Sequence, residues 1–279
     1  MKSLEKSVVL VTGASRGIGK GTALALAKEG AIVYVTARTL HGESSGARLP
    51  GSLSRTVDEI RSFGGTCIPI QCDHTDDRDT EKVFEQIRTE QSRLDLLVNA
   101  VWGGYEHFTN GTEFWKEAGF WDMPFERWDK MFIAGVRAHY VASSYAVRLM
   151  IPQGSGLIVN LSFWPAEKND QGTAYSVAKA ATNKMTECMG YELRDKNIAV
   201  ITLYPGLVRT EAVMANKQFF NLENSESTEF TGRVICRLLQ DDNLAEKSGK
   251  RFVSATLART YNISDVDGNN PIPLTLETC

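Results

Sequence analysis

The sequence predicts an α/β fold, a doubly wound three-layer sandwich around a parallel sheet of about seven strands. Three observations carry that prediction. Short, continuously apolar runs rich in β-branched residues recur at wide intervals, segments of helical periodicity lie between them, and a glycine-rich turn directly follows the first run. Strands covered on both faces read as continuous rather than alternating apolar runs, and strand–helix alternation implies right-handed crossovers between parallel strands.

The strand runs are SVVLVT (7–12), AIVYVT (31–36), CIPIQC (67–72), LDLLVN (94–99), GLIVNL (156–161) and IAVITL (198–203), with KRFVSA (250–255) as a weaker seventh. Helices are expected at Gly17–Lys28, Leu53–Phe63, Asp77–Glu90, Phe125–Met150, Thr173–Arg194 and Glu229–Gln240. No repeat or interdomain linker interrupts this order, so residues 1–279 are expected to form a single domain. Two stretches exceed the minimal plan: the Gly/Ser-rich segment 40–52 and the aromatic segment 101–128, which holds four of the five tryptophans. Long loops of this kind are usually functional, so 101–128, together with the loop 211–228, is expected to border a substrate cleft; a flap packed on the core or a subunit interface is the alternative for 101–128.

With 42% hydrophobic and 23% charged residues, the composition is that of an ordinary globular protein. A net charge of -3 gives no electrostatic case for nucleic acid or an anionic membrane. The cysteines (Cys67, Cys72, Cys188, Cys236, Cys279) and histidines (His41, His74, His107, His139) are scattered without ligand spacing, so no metal is expected. The apolar run Val8–Val11 is too short for a signal-peptide core and nothing approaches a membrane span, so a cytoplasmic protein without membrane insertion is expected.

The turn TGASRGIGKG places Gly13, Gly17 and Gly19 in the spacing G-x-x-x-G-x-G, with Ser15, Arg16 and Ile18 between them. Glycines at a strand-to-helix turn let a pyrophosphate approach the backbone and meet the positive end of the helix, which makes the expected sandwich Rossmann-type. A nucleoside-triphosphate loop does not fit, because Ala14 stands where its first glycine is needed and Gly21 follows Lys20. The second strand ends without the acidic residue that a free ribose 2′-hydroxyl favours; it leads into Arg38, which with Arg16 could pair with a 2′-phosphate. NADP(H) is therefore preferred over NAD(H).

Tyr175 and Lys179 stand four residues apart in a helical segment and so share one face. With the glycine turn, Cys72-Asp73 after the third strand and YPGLVRT (204–210), they occur in the order of the classical short-chain dehydrogenase/reductase family, which the chain resembles over about 250 residues. The resemblance implies an enzyme acting on CH–OH donors with NAD(P)+ as acceptor, interconverting a carbonyl and an alcohol on an apolar small molecule, and commonly a homodimer or homotetramer. It implies Tyr175 as general acid/base, and Lys179 as the cation that binds the nicotinamide ribose and favours the phenolate. Asp73 is expected at the adenine, Asn99 on the adenosine side, Thr210 and the Val208 backbone at the carboxamide, and Pro205 and Gly206 elsewhere on the cofactor.

Relatives often read ISS where this chain reads Leu161-Ser162-Phe163. Ser162 lies thirteen residues before Tyr175, a usual separation for the catalytic serine, whereas alignment on the second serine selects Phe163. Neighbouring strand residues face opposite ways, so only one enters the cleft; Ser162 is the expected catalytic residue, and Trp102, Phe163 and Trp164 are expected to border the substrate. The family's NNAG appears here as NAVW (99–102), and Gly135 replaces a helix asparagine that supports a proton relay in many members. The Phe163 and NAVW departures motivate a second reading, an NADP(H)-binding sensor with a degenerate site; reduction of an activated carbon–carbon double bond is a third.

Overall fold

The computed structural model describes residues 4–42, 49–104, 119–169 and 171–279. Its strands are β1 (Val8–Thr12), β2 (Ile32–Ala37), β3 (Thr66–Gln71), β4 (Leu96–Asn99), β5 (Gly156–Leu161), β6 (Ile198–Tyr204), β7 (Leu207–Val208), β8 (Ser225–Glu226) and β9 (Arg251–Val253). Seven of them form one sheet in the order β3-β2-β1-β4-β5-β6-β9, with every neighbouring pair parallel; β7 and β8 pair separately. The order reverses at β1, whose neighbours are β2 and β4, so the crevice for a ligand opens beyond the carboxyl ends of β1 and β4.

The helices are α1 (Gly17–Lys28), α2 (Leu53–Ser62), α3 (Asp77–Gln91), α4 (Phe125–Phe132), α5 (Ala138–Gln153), α6 (Thr173–Glu192), α7 (Glu211–Ala215), α8 (Phe230–Leu238), α9 (Leu244–Lys247) and α10 (Ser254–Tyr261). Side-chain alternation along each strand divides the core into two layers. Val9, Val11, Val33, Val98 and Val159 pack with Leu24 and Leu26 of α1 and Phe230, Val234 and Ile235 of α8. Val8, Leu10, Leu97, Ile158 and Val200 pack with Val83, Phe84 and Ile87 of α3 and Ala142, Ala146 and Met150 of α5. Burial on both faces is why the strands read as unbroken apolar runs. Pro69, which cannot donate to a ladder, is tolerated because β3 is an edge strand.

Two expected elements differ. The helix expected over Phe125–Met150 is α4 and α5 joined by a π-helical turn, Ile133–Arg137, centred on Gly135. Glycine is a poor helix former, and such single-turn widenings occur mostly where a helix is adapted to a site. The run 250–255 yields only the three residues of β9 before Ser254 opens α10. Side-chain caps fix other boundaries: Ser52 accepts from the Arg55 amide ahead of α2, and Asp76 from the Arg78 amide ahead of α3.

Candidate active site

The glycine turn lies in the crevice between β1 and β4. Gly13 and Gly17 hold φ of +69° and +57°, and a Cβ on Gly19 would stand 2.4 Å from the Gly13 carbonyl oxygen, so the turn is too tight for another residue there. A Cβ on Gly13 would lie 2.8 Å from the Ala100 carbonyl oxygen, which seats the turn against the end of β4. The Gly17 amide, at the positive end of α1, donates to the Glu211 carboxylate at 2.9 Å. A carboxylate thus already occupies a phosphate-type position there, and the turn has the cradle, donor and dipole that suit a dinucleotide.

At the ends of β2 and β3, Arg38, Gln71, Asp73 and Asp79 line a cavity of about 450 Å³. The structure thereby brings together Arg38 and Asp73, which the sequence analysis singled out, and adds Gln71, whose amide donates to the Arg38 carbonyl at 2.8 Å, and Asp79. Beneath them His74 bonds Thr36 at 2.7 Å and Thr80 at 3.2 Å, and burial holds its pKa down at about 4, so it is a neutral brace. Arg16 heads α1 as its N-cap, next to the turn.

Asn99 lies within a buried polar ladder. Its side chain is fully buried and its amide donates to Asn160 at 2.8 Å and Ser143 at 3.0 Å, while Asn160 donates to Thr186 at 2.9 Å. Thr202 bonds the same Thr186 hydroxyl at 2.7 Å. This ladder ties the ends of β4, β5 and β6 to α5 and α6, and Asn99 is not among the residues that line the Arg38 cavity. Asn99 has no aliphatic alternative here because its amide is the hub of a buried network.

Tyr175 and Lys179 project from one face of α6 and are 8% and 7% exposed. The Lys179 ammonium lies 5.5 Å from the Tyr175 ring centre, 3.4 Å from the Leu161 carbonyl oxygen and 3.6 Å from the Trp102 ring centre. Burial pushes its pKa down to about 7. Trp102 stands edge-on to Tyr175, with ring centres 5.4 Å apart at 88°. The imidazole of His139, from α5, donates through Nε2 to the Val101 carbonyl at 2.8 Å and fixes the backbone from which Trp102 projects.

Of the two candidates at the end of β5, Phe163 is the one whose side chain joins the Tyr175 cluster, packing there with Trp102, Phe132 and Val136 around Met131 and Ala178. Ser162 is 3% exposed, and its hydroxyl donates to the Lys179 backbone carbonyl at 3.1 Å. Phe163 thus packs in the cluster that contains Tyr175, while the Ser162 hydroxyl is held on the Lys179 backbone. Trp164 stacks edge-on against Tyr204 at 5.3 Å, beside the turn at Pro205 and Gly206.

That turn reaches the glycine loop from the other side. Thr210 caps α7 by accepting from the Val213 amide, and its methyl would lie 3.5 Å from a Cβ on Gly17. Val208 pairs with Glu226, a carboxyl 1% exposed and held by burial at a pKa of about 8. Glu211, Glu226 and the Trp102–Lys179 contact escaped sequence reasoning, since each depends on residues far apart in the chain; the single legible signal was that Glu211 follows the expected carboxamide residue Thr210. The described part of the aromatic segment divides: Trp102 enters the site, whereas Phe120, Trp121 and Phe125 are exposed, and 105–118 lies outside the described residues. Residues 43–48 of the other long segment do as well. Among the described residues no cluster of His, Cys, Asp or Glu could hold a metal ion, and no helix is long and apolar enough to cross a membrane.

A glycine turn at the sheet's reversal point and a Tyr-x-x-x-Lys face on the helix after β5 define a dinucleotide-dependent oxidoreductase. The sequence model of the short chain dehydrogenase family matches residues 7–219, and the chain belongs to that family. It is 37% identical to dehydrogenase/reductase SDR family member 1 of Mus musculus, across 95% of this chain and 85% of the relative. It is 30% identical to the 7alpha-hydroxysteroid dehydrogenase of Clostridium sardiniense, across 77% of this chain and 76% of the relative. A solved short-chain type dehydrogenase/reductase from Mycobacterium marinum superposes with a TM-score of 0.74 at 27% identity, covering 90% of this chain and 94% of that one. The family's cofactors are the nicotinamide dinucleotides, and its members act on small molecules.

Proposed function

We propose that the protein is an NADP(H)-dependent reductase that interconverts a carbonyl and an alcohol on an apolar small molecule. The observation that carries the reading is the meeting of Tyr175, Lys179 and an aromatic wall of Trp102 and Phe163 beside the glycine turn. When bound, the cofactor supplies or accepts the hydride. The Tyr175 phenol gives the proton to the carbonyl oxygen, or takes it back from the alcohol, and the Lys179 ammonium would hold the nicotinamide ribose and favour the phenolate. Ser162 acts through the Lys179 backbone as a positioning residue, and Phe163 supplies apolar surface where relatives carry a hydroxyl. Oxyanion stabilisation then rests on Tyr175.

Arg38, on the rim of the cavity at the ends of β2 and β3, supports a 2′-phosphate and hence NADP(H), with Asp73 beside the adenine. Gly13, Ser15, Arg16, Gly17, Ile18 and Gly19 would hold the diphosphate, and Pro205, Gly206, Val208 and Thr210 the carboxamide end. Exposed Tyr140 on α5, with Val177 and Tyr191 on α6, supports a homodimer or homotetramer through those helices. Free, buried Cys67, Cys72 and Cys236 suit the cytoplasm. The hydroxysteroid relative makes a fused-ring ketone a sensible first substrate. The test is product analysis after incubation with NADPH and, separately, a steroid ketone, an aldehyde, a quinone and an enone. Alcohol formation supports the proposal, and a saturated ketone from the enone alone would replace it with double-bond reduction. Phe163 in the place of a hydroxyl favours one rival, a sensor; tight NADPH binding without any product would select it.

A further inference from the structure

Two departures from the family pattern, Trp102 in NAVW and Gly135 in the helix, are a single contact in the fold. A Cβ on Gly135 would stand 2.4 Å from the six-membered ring of Trp102, so the indole sits where any other residue at 135 would project. The helix widens into its π-helical turn at this point. His139 pins the Val101 carbonyl on one side of the ring's attachment, and Met131 and Ala178 floor the cluster against which it packs.

So seated, the ring covers the Lys179 ammonium at 3.6 Å, well within the reach of about 6 Å for a cation–π contact. The Leu161 carbonyl, at 3.4 Å, lies beyond normal hydrogen-bond length. The aromatic face is therefore the close neighbour of a cation that has three N–H donors. A ribose hydroxyl must come within about 2.7–3.2 Å to accept from that ammonium. The indole holds one approach, and the Tyr175 ring and the Leu161 backbone stand on others.

We propose that Trp102, seated on Gly135, is a positioning residue that covers the Lys179 ammonium in the free protein and is displaced from it by the cofactor's ribose. The displacement rests on the cofactor reading given above; the cover does not. Cofactor association then includes a ring movement, and Trp102→Ala and Gly135→Ala are equivalent in effect, one deleting the ring and the other filling its seat.

The cover is tested without cofactor, by acylating the free protein with a small anhydride and following Lys179 by mass spectrometry as a function of pH. Both variants, checked for native circular dichroism and melting, should label Lys179 about fivefold faster or more in the limiting rate at pH above the midpoint, with that midpoint raised as the ammonium becomes hydrated. Wild-type rates and midpoints in both variants would overturn the cover. The displacement is tested by stopped-flow tryptophan fluorescence with NADPH. The wild type should show a slow phase that saturates with NADPH and is missing from both variants, which bind faster; weaker binding by Trp102→Ala would instead make the ring a wall of the cofactor site and overturn displacement. Failure of wild-type protein to bind either NADPH or NADH by calorimetry would overturn the cofactor reading and the displacement together, leaving the labelling result to decide the cover.

Discussion

The Glu211 carboxylate accepts a hydrogen bond from the Gly17 amide at 2.9 Å, across 194 residues of sequence, and so places a negative charge at the positive end of α1. An anion there stabilises the helix by roughly 0.3–1 kcal/mol, and a diphosphate held by that turn would compete with it. Glu211→Gln should therefore lower the stability of the free protein by about that amount and tighten NADPH binding by roughly two- to fivefold. Paired melts and calorimetric titrations measure both; unchanged values for each would remove Glu211 from the phosphate turn.

Arg38 discriminates between cofactors if it pairs with a 2′-phosphate. Loss of charge-assisted hydrogen bonds of about 1.5–3 kcal/mol predicts that Arg38→Ala weakens NADPH binding by roughly 10- to 100-fold and leaves NADH binding nearly unchanged. Fluorescence titration of the two nucleotides gives the ratio directly. An equal loss with both would show that Arg38 acts on the adenosine without reading the phosphate.

Asn99 separates a structural from a cofactor role. Asn99→Ala leaves Asn160 and Ser143 without their shared donor in a fully buried network, which predicts a loss of about 1–3 kcal/mol in urea unfolding. NADPH affinity at a temperature where the variant is folded should stay near the wild-type value. A large affinity loss with unchanged stability would support the adenosine-side expectation.

Much of this architecture is legible in the sequence because its physical cause is local. The runs of β1, β2, β4, β5 and β6 are mostly apolar since both faces of those strands are covered, and α2 and α3 begin at residues whose side chains cap them. Tyr175 and Lys179 share a face by helical period alone. The π-helical turn was not legible, because it answers to a ring 33 residues earlier that needs the space above Gly135. Nor was the choice between Ser162 and Phe163, which depends on how the last residues of β5 turn toward α6. Asn99 reads ambiguously, because a buried amide hub and a ligand contact look alike in one dimension.

Glu226 predicts a pH dependence of stability. Burial raises its pKa from 4.5 to about 8, so the folded protein retains a proton that the unfolded chain has released. Its contribution is complete below the unfolded value of 4.5 and is lost as pH rises toward 8. Wild-type stability should fall relative to Glu226→Gln between pH 5 and 8, by at most about 1.4 kcal/mol per pH unit. Parallel stability curves for the two proteins would show that Glu226 does not titrate in this range.

As the proposed acid/base of a carbonyl reductase, Tyr175 should be needed for turnover and dispensable for holding the cofactor. The most direct measurement is NADPH oxidation with an apolar ketone by wild-type protein and Tyr175→Phe, with NADPH affinity determined for both. Turnover should fall by roughly 100-fold or more, the scale of general acid catalysis, with affinity changed by less than about threefold. Equal turnover by the two proteins would contradict that role for Tyr175.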